Sequence, residues 1–109
     1  MGTRNLDKQV ERLLAPRESS IEIKLKRIVV SHKGLCLKFV SPGTRGVPDR
    51  AVYMPGGKHY LVETKRPKFG RTNEMQHALH ALFLSLGFKI RIIHTEEQLK
   101  DFENEISAL

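Results

Sequence analysis

Gly46-Val47-Pro48-Asp49-Arg50-Ala51-Val52-Tyr53-Met54-Pro55-Gly56-Gly57-Lys58-His59-Tyr60-Leu61-Val62-Glu63-Thr64-Lys65 is the stretch that decides how this chain folds. Two β-prone apolar runs, residues 51–54 and 59–62, flank the turn residues Pro55-Gly56-Gly57, which is the pattern of a β-hairpin. A loop of residues 55–57 pairs Met54 with Lys58, and the same register sets Asp49 opposite Glu63. Side chains alternate along a strand, so Glu63 and Lys65 are expected on one face about 7 Å apart, with Thr64 pointing the other way. Two carboxylates and an ammonium therefore converge on one patch.

That patch suits a hard divalent cation. Mg²⁺ takes oxygen ligands in near-octahedral geometry, commonly one or two carboxylates with water and a substrate phosphate. Asp49 and Glu63 supply the carboxylates, and Lys65 can orient or deprotonate a water or stabilise charge growing on a phosphate. The plainer alternatives are a turn cap for Asp49 after Pro48 and a same-face ion pair between Glu63 and Lys65 on an exposed strand.

Outside the hairpin, composition narrows the class. The chain has 109 residues, 39% of them hydrophobic, enough for one domain with one modest core. A formal net charge of +7 favours polyanions, chiefly nucleic acid, with anionic membrane surfaces as a weaker possibility. No apolar run approaches the roughly 20 residues of a membrane-spanning helix, and the charged N-terminus lacks the apolar core of a signal peptide. The expectation is a soluble, intracellular protein that makes no membrane contact. Cys36, the single cysteine, lies in Leu35-Cys36-Leu37 and reads as a small core residue.

The remaining segments alternate helix and strand. Leu6, Val10, Leu13 and Leu14 keep helical spacing before Pro16, predicting an N-terminal helical extension over 1–16 ahead of a domain over 17–109. A second helix is expected from about residue 18 to His32, with Ile21, Leu25, Ile28 and Val29 as its apolar stripe and Gly34 closing it. Residues 35–40 read as a strand. Asn73 with Gln76 resembles a capping box opening a third helix, whose stripe Met75, Ala78, Leu79, Leu82, Phe83 and Leu86 runs to Gly87. Phe88, Ile90 and Ile92 alternate as a strand, and Thr95 with Gln98 caps a last helix bearing Leu99, Phe102 and Ile106. The predicted order is α-α-β-β-β-α-β-α, an α/β layer structure.

Charged loops adjoin the patch. Residues 41–46 are loop-forming, with glycines that let a backbone approach a phosphate, and they include Arg45. Arg66, Lys68 and Arg71 follow Lys65 directly and, with Arg45 and Arg50, are the expected DNA-backbone contacts. His77 and His80 are three apart on a helix, but with no cysteine partner and no H-E-x-x-H motif they do not indicate zinc; His80 could line the site's rim.

Five elements in order carry a family resemblance: Glu18-Ser19-Ser20-Ile21-Glu22, Gly34-Leu35-Cys36-Leu37-Lys38-Phe39, Gly46-Val47-Pro48-Asp49-Arg50, Glu63-Thr64-Lys65, and Gln76 in the next helix. On these the chain resembles the VRR-NUC family of the PD-(D/E)XK nuclease superfamily, in particular its small stand-alone phage members. The resemblance spans about residues 18–94 and leaves the N-terminal 15 without a counterpart.

What it implies is a restriction-endonuclease-like core, a central mixed β-sheet flanked by helices. It further implies DNA phosphodiester hydrolysis with Mg²⁺ or Mn²⁺, Asp49 and Glu63 as metal ligands and Lys65 as catalytic lysine. The family's acidic residue on the first core helix has two candidates, Glu18 and Glu22, which share a helix face with Leu25 and Val29. Glu18 is slightly favoured as the ligand, and Glu22 is kept as a ligand or as a residue holding a water. First-turn acids are also favoured by the helix dipole alone. Gln76 matches a supporting glutamine expected to orient Lys65 or a water. Water attacks the phosphate in line with the leaving group, giving a 5′-phosphate and a 3′-hydroxyl. Stand-alone members are similar to Holliday-junction resolvases, which implies a homodimer acting on branched DNA, with flap or plain duplex DNA, or DNA binding without catalysis, as alternatives. The third helix and the N-terminal helix are the two candidate dimer interfaces. For a phage gene the compartment would be the bacterial or host cytoplasm.

Overall fold

The hairpin closes in the register its turn dictates: Met54 pairs with Lys58, Val52 with Tyr60 and Arg50 with Val62. The structure is a computed structural model, and it describes residues 20–65 and 74–109. In chain order these form α1 (Ser20–Ser31), β1 (Leu35–Lys38), β2 (Arg50–Met54), a 3₁₀ turn (Pro55–Gly57), β3 (Lys58–Glu63), α2 (Glu74–Ser85), β4 (Ile90–Ile92) and α3 (Glu96–Ser107). The extension expected over 1–16 lies outside the described residues.

The four strands form one sheet in the order β1-β2-β3-β4. β1, β2 and β3 are successively antiparallel, and β4 joins β3 in parallel, the crossover running through α2. The sheet is mixed and flanked by helices, as expected. β1 stops at Lys38, two residues short of the predicted end, although the Phe39 amide still donates to the Asp49 carbonyl at 2.8 Å.

One face of the sheet holds the core. Cys36, Val52, Tyr60 and Val62 pack with Leu25 and Val29 of α1 and with Leu99, Phe102 and Ile106 of α3, all buried. Fully burying an aliphatic or aromatic side chain of this kind contributes about 1.5–3 kcal/mol, so this layer carries most of the fold's stabilisation. Tyr60 and Phe102 meet edge to face at 5.2 Å between ring centroids. α3 begins at the predicted capping box: the Gln98 amide donates to Thr95 Oγ1 at 3.1 Å, and Gln98 Oε1 accepts from the Thr95 amide at 3.2 Å.

α1 ends one residue earlier than the glycine suggested. Lys33, not Gly34, takes the left-handed conformation, with φ 67°. The Gly34 amide donates to Val29 O at 2.8 Å and the Lys33 amide to Val30 O at 3.0 Å, the paired bonds of a Schellman motif with Lys33 where glycine is usual. Gly34 is needed for another reason: a Cβ there would lie 2.9 Å from both the Tyr53 carbonyl oxygen and Val29 Cγ1. The chain must pass close against β2 to turn back into β1.

α2 carries the predicted apolar stripe largely outside the core: Met75, Leu82 and Leu86 are 57%, 53% and 63% exposed, and no side chain of the helix is fully buried. The helix packs against β4, Leu79 and Phe83 are its half-buried stripe residues, and Phe83 meets Phe88 edge to face. No described helix is long and apolar enough to cross a membrane.

Candidate active site

Asp49 immediately precedes β2 and Glu63 ends β3, so the pairing of Arg50 with Val62 sets the two acids side by side. Asp49 Oδ1 accepts from the Thr64 amide at 2.9 Å, and Oδ2 accepts from Thr64 Oγ1 at 2.8 Å and from the Lys65 amide at 3.2 Å. The carboxylate thus takes over two backbone donors that a longer ladder would have used, and β3 stops at Glu63. Lys65 lies in the bend beyond it rather than in a continuing strand, and its residue is exposed.

Glu63 is buried, 6% exposed, and its Oε2 accepts from Gln76 Nε2 at 3.2 Å. Its backbone carbonyl accepts from the Ile93 amide at 2.9 Å, so β4 fixes the end of β3 from the other side. Burial first, and then the negative charge of Asp49, push the Glu63 carboxyl up to about 7; the Lys65 amide, Gln76 and the Lys65 charge oppose this only in part. Two carboxylates are held together at a cost, and no lysine or arginine among the described residues forms an ion pair with either.

Gln76 therefore reaches Glu63, whereas the sequence suggested contact with Lys65 or a water. Gly46 makes that reach possible. Its φ is +83°, and a Cβ on it would lie 2.8 Å from both the amide nitrogen and the Cα of Gln76. Only a residue without a side chain lets the loop before Asp49 lie against the first turn of α2.

Beneath the sheet end a buried pair supports the site. Glu22 and Arg50 are 6% and 8% exposed, and Arg50 Nη2 donates to Glu22 Oε2 at 3.0 Å. Glu22 Oε1 lies 3.2 Å from Thr64 Oγ1. Arg50, grouped from sequence with the DNA contacts, is buried with its guanidinium against Glu22. Glu22, the candidate ligand or water-holding residue, has its two oxygens within hydrogen-bond distance of Arg50 and Thr64. Its rival Glu18 lies outside the described residues, as do Arg66, Lys68, Arg71 and Asn73.

Arg45 is exposed in the loop before the site, and His77 is exposed on α2. His80 is half-buried; burial, and then His77, lower its pKa. Sequence reading missed Thr64. It placed the side chain on the face away from Glu63; in the structure the hydroxyl meets both Asp49 and Glu22.

No family model matches the chain. Among solved structures, one described as "VRR_NUC domain" superposes with a TM-score of 0.69 at 24% identity, covering 80% of this chain and 94% of that one. Over 81 residues, 74% of this chain and 86% of the relative, the chain is 41% identical to a protein of Acyrthosiphon pisum secondary endosymbiont phage 1 described as "Putative nuclease p44". The chain belongs to the family of this phage relative, and it shares the fold of the VRR_NUC domain. Its mixed sheet and flanking helices are the α/β, restriction-endonuclease-like fold of that domain.

Whether the site fits a divalent cation is decided by its donor set. Among the described residues no cluster of three or more His, Cys, Asp and Glu is placed to hold a metal. Asp49 and Glu63 are two oxygen donors whose mutual repulsion a dication would relieve, and Mg²⁺ commonly uses one or two carboxylates and takes its other ligands from water and phosphate. The residues present fit that group, and they do not fit an all-protein zinc cage.

Proposed function

We propose that this VRR-NUC chain is a Mg²⁺- or Mn²⁺-dependent DNA endonuclease. One observation carries the reading: Asp49 and Glu63 sit adjacent without an ion-pair partner among the described residues, and Asp49 helps to raise Glu63 to about 7. Such strain is a feature of functional sites more than of structural ones. The nuclease description of the phage relative supports the same chemistry.

In this reading Asp49 and Glu63 hold the cation. When bound, a divalent ion makes a water more acidic and offsets charge on the scissile phosphate. Gln76 steadies Glu63 so that both carboxylates keep one orientation. Lys65, exposed at the mouth, orients the attacking water or stabilises negative charge on the phosphate. Arg45, with Arg66, Lys68 and Arg71, contacts the DNA backbone, and the formal charge of +7 draws the polyanion in. Glu18 remains a candidate third acid.

The substrate assigned is branched DNA cut by a homodimer. The exposed stripe Met75, Leu82 and Leu86 on α2 supports this, because an apolar helix face left outside the core is suited to a symmetric contact between copies. The test is cleavage of a labelled four-way junction beside flap and linear duplex DNA, in Mg²⁺, Mn²⁺ or EDTA. Wild type is compared with Asp49→Ala, Glu63→Ala and Lys65→Ala. Symmetric, metal-dependent nicks that disappear in all three variants are expected. Cutting confined to flap or duplex DNA would replace the substrate, and tight binding with no cutting would replace catalysis with a binding role.

A further inference from the structure

Thr64 is the residue between the two functional positions of Glu63-Thr64-Lys65, and it is buried, 4% exposed. Its hydroxyl lies between two carboxylates: Asp49 Oδ2 at 2.8 Å and Glu22 Oε1 at 3.2 Å. A hydroxyl carries one proton and can donate fully to only one acceptor at a time. The shorter distance gives that proton to Asp49. Glu22 does not compete strongly because Arg50 meets its other oxygen at 3.0 Å.

We infer that Thr64 is a positioning residue for the cation site, and that the buried pair Glu22–Arg50 acts through it to fix the orientation of Asp49. The inference rests on the metal-dependent reading above. Asp49 follows a loop and heads its strand, so its carboxylate depends for its direction on what it accepts. Two of its three donors are backbone amides, those of Thr64 and Lys65, and the Thr64 hydroxyl is the only side-chain donor it has among the described residues. Removing that donor leaves Oδ2 only the longer 3.2 Å bond from the Lys65 amide, so the carboxylate is held less tightly at that oxygen. Removing the charge of Arg50 instead takes away the donor at Glu22 Oε2 and makes Glu22 a stronger competitor for the same proton. Partners that orient a metal-binding carboxylate typically change metal affinity by about 10–100-fold when they are lost.

The experiment is Mn²⁺ binding to the DNA-free protein by calorimetry, beside thermal unfolding in EDTA, for wild type, Thr64→Val, Thr64→Ser and Asp49→Ala. Thr64→Val keeps the branched shape and loses the hydroxyl; it is expected to weaken Mn²⁺ binding about tenfold or more. Thr64→Ser, which keeps the hydroxyl, is expected to bind within about threefold of wild type. Wild-type Mn²⁺ affinity in a folded Thr64→Val overturns the inference, as does a Thr64→Ser protein as weak as Thr64→Val, which would assign the effect to packing of the methyl group. Should Thr64→Val not fold, Thr64→Ala against Thr64→Ser carries the same contrast. Asp49→Ala separates the two readings. If it binds Mn²⁺ as wild type does, the metal site itself is wrong; if it loses binding while Thr64→Val does not, only the role of Thr64 fails.

Discussion

Gly46 and Gln76 meet backbone to backbone: a Cβ on Gly46 would lie 2.8 Å from the Gln76 amide nitrogen and Cα. The loop that delivers Asp49 and the helix that steadies Glu63 are thereby fixed to each other at a point where neither side chain takes part. Gly46→Ala combines this clash with a left-handed φ, each costing of the order of 1–3 kcal/mol. The expected result is an unfolding free energy, from urea titration, lowered by that amount, together with a loss of cleavage larger than the loss of stability explains, because α2 moves Gln76 off Glu63. An alanine variant with wild-type stability and activity would refute the contact.

Two adjacent residues at the end of α1 are expected to respond in opposite directions. Lys33 holds a left-handed φ of 67°, so Lys33→Gly relieves strain and should raise stability by about 0.5–1 kcal/mol after the added freedom of the unfolded chain is counted. Gly34→Ala forces a methyl group against the Tyr53 carbonyl and Val29 and should cost about 1–3 kcal/mol. Denaturant midpoints of the two variants decide both.

Glu63 gives a pH dependence with a definite sign. Its carboxyl is raised from an ordinary 4.5 to about 7 in the folded chain, so between these values the native state binds more protons than the unfolded state. Its contribution to stability is complete below about 4.5 and is lost as the pH rises through about 7. In EDTA, wild type should therefore lose stability relative to Glu63→Gln between pH 5 and pH 8 in urea titrations (roughly bracketing the native titration). Mn²⁺ binding should strengthen over the same interval, because the cation displaces that proton.

Arg50 and Arg45 separate a buried charge from a surface one. Arg50→Ala removes the guanidinium paired with buried Glu22 and should cost up to about 3–5 kcal/mol of stability. Arg45→Ala should leave stability unchanged, weaken DNA binding and reduce the slope of log affinity against log salt by about 0.9. Unfolding curves and salt titrations of DNA binding distinguish the two.

The parts of this fold that sequence revealed are those set by near neighbours. The hairpin register followed from three turn residues, and the Thr95 cap and the Leu99, Phe102 and Ile106 face followed from spacing within one helix. Asp49 and Glu63 came together for the same reason. What stayed hidden depended on distant pairing. Arg50 reads as one more cation in a basic chain until Glu22, 28 positions earlier, is found against it. The stripe on α2 has the spacing of a core helix, and periodicity alone cannot tell a buried face from one left exposed. The role of Thr64 was not legible, because nothing local places Glu22, 42 positions away, against its hydroxyl.

α2 supplies Gln76 yet buries no side chain fully, while α1 and α3 each sink residues into the core. Opening of α2 alone exposes little apolar surface, so it requires far less free energy than global unfolding. In the isolated chain its amides should exchange with deuterium faster than those of α1 and α3, and a second copy seated on Met75, Leu82 and Leu86 should slow them selectively. Glu63 would then lose and regain its hydrogen bond on the timescale of that local breathing, and association of two chains would slow this motion and hold the site assembled.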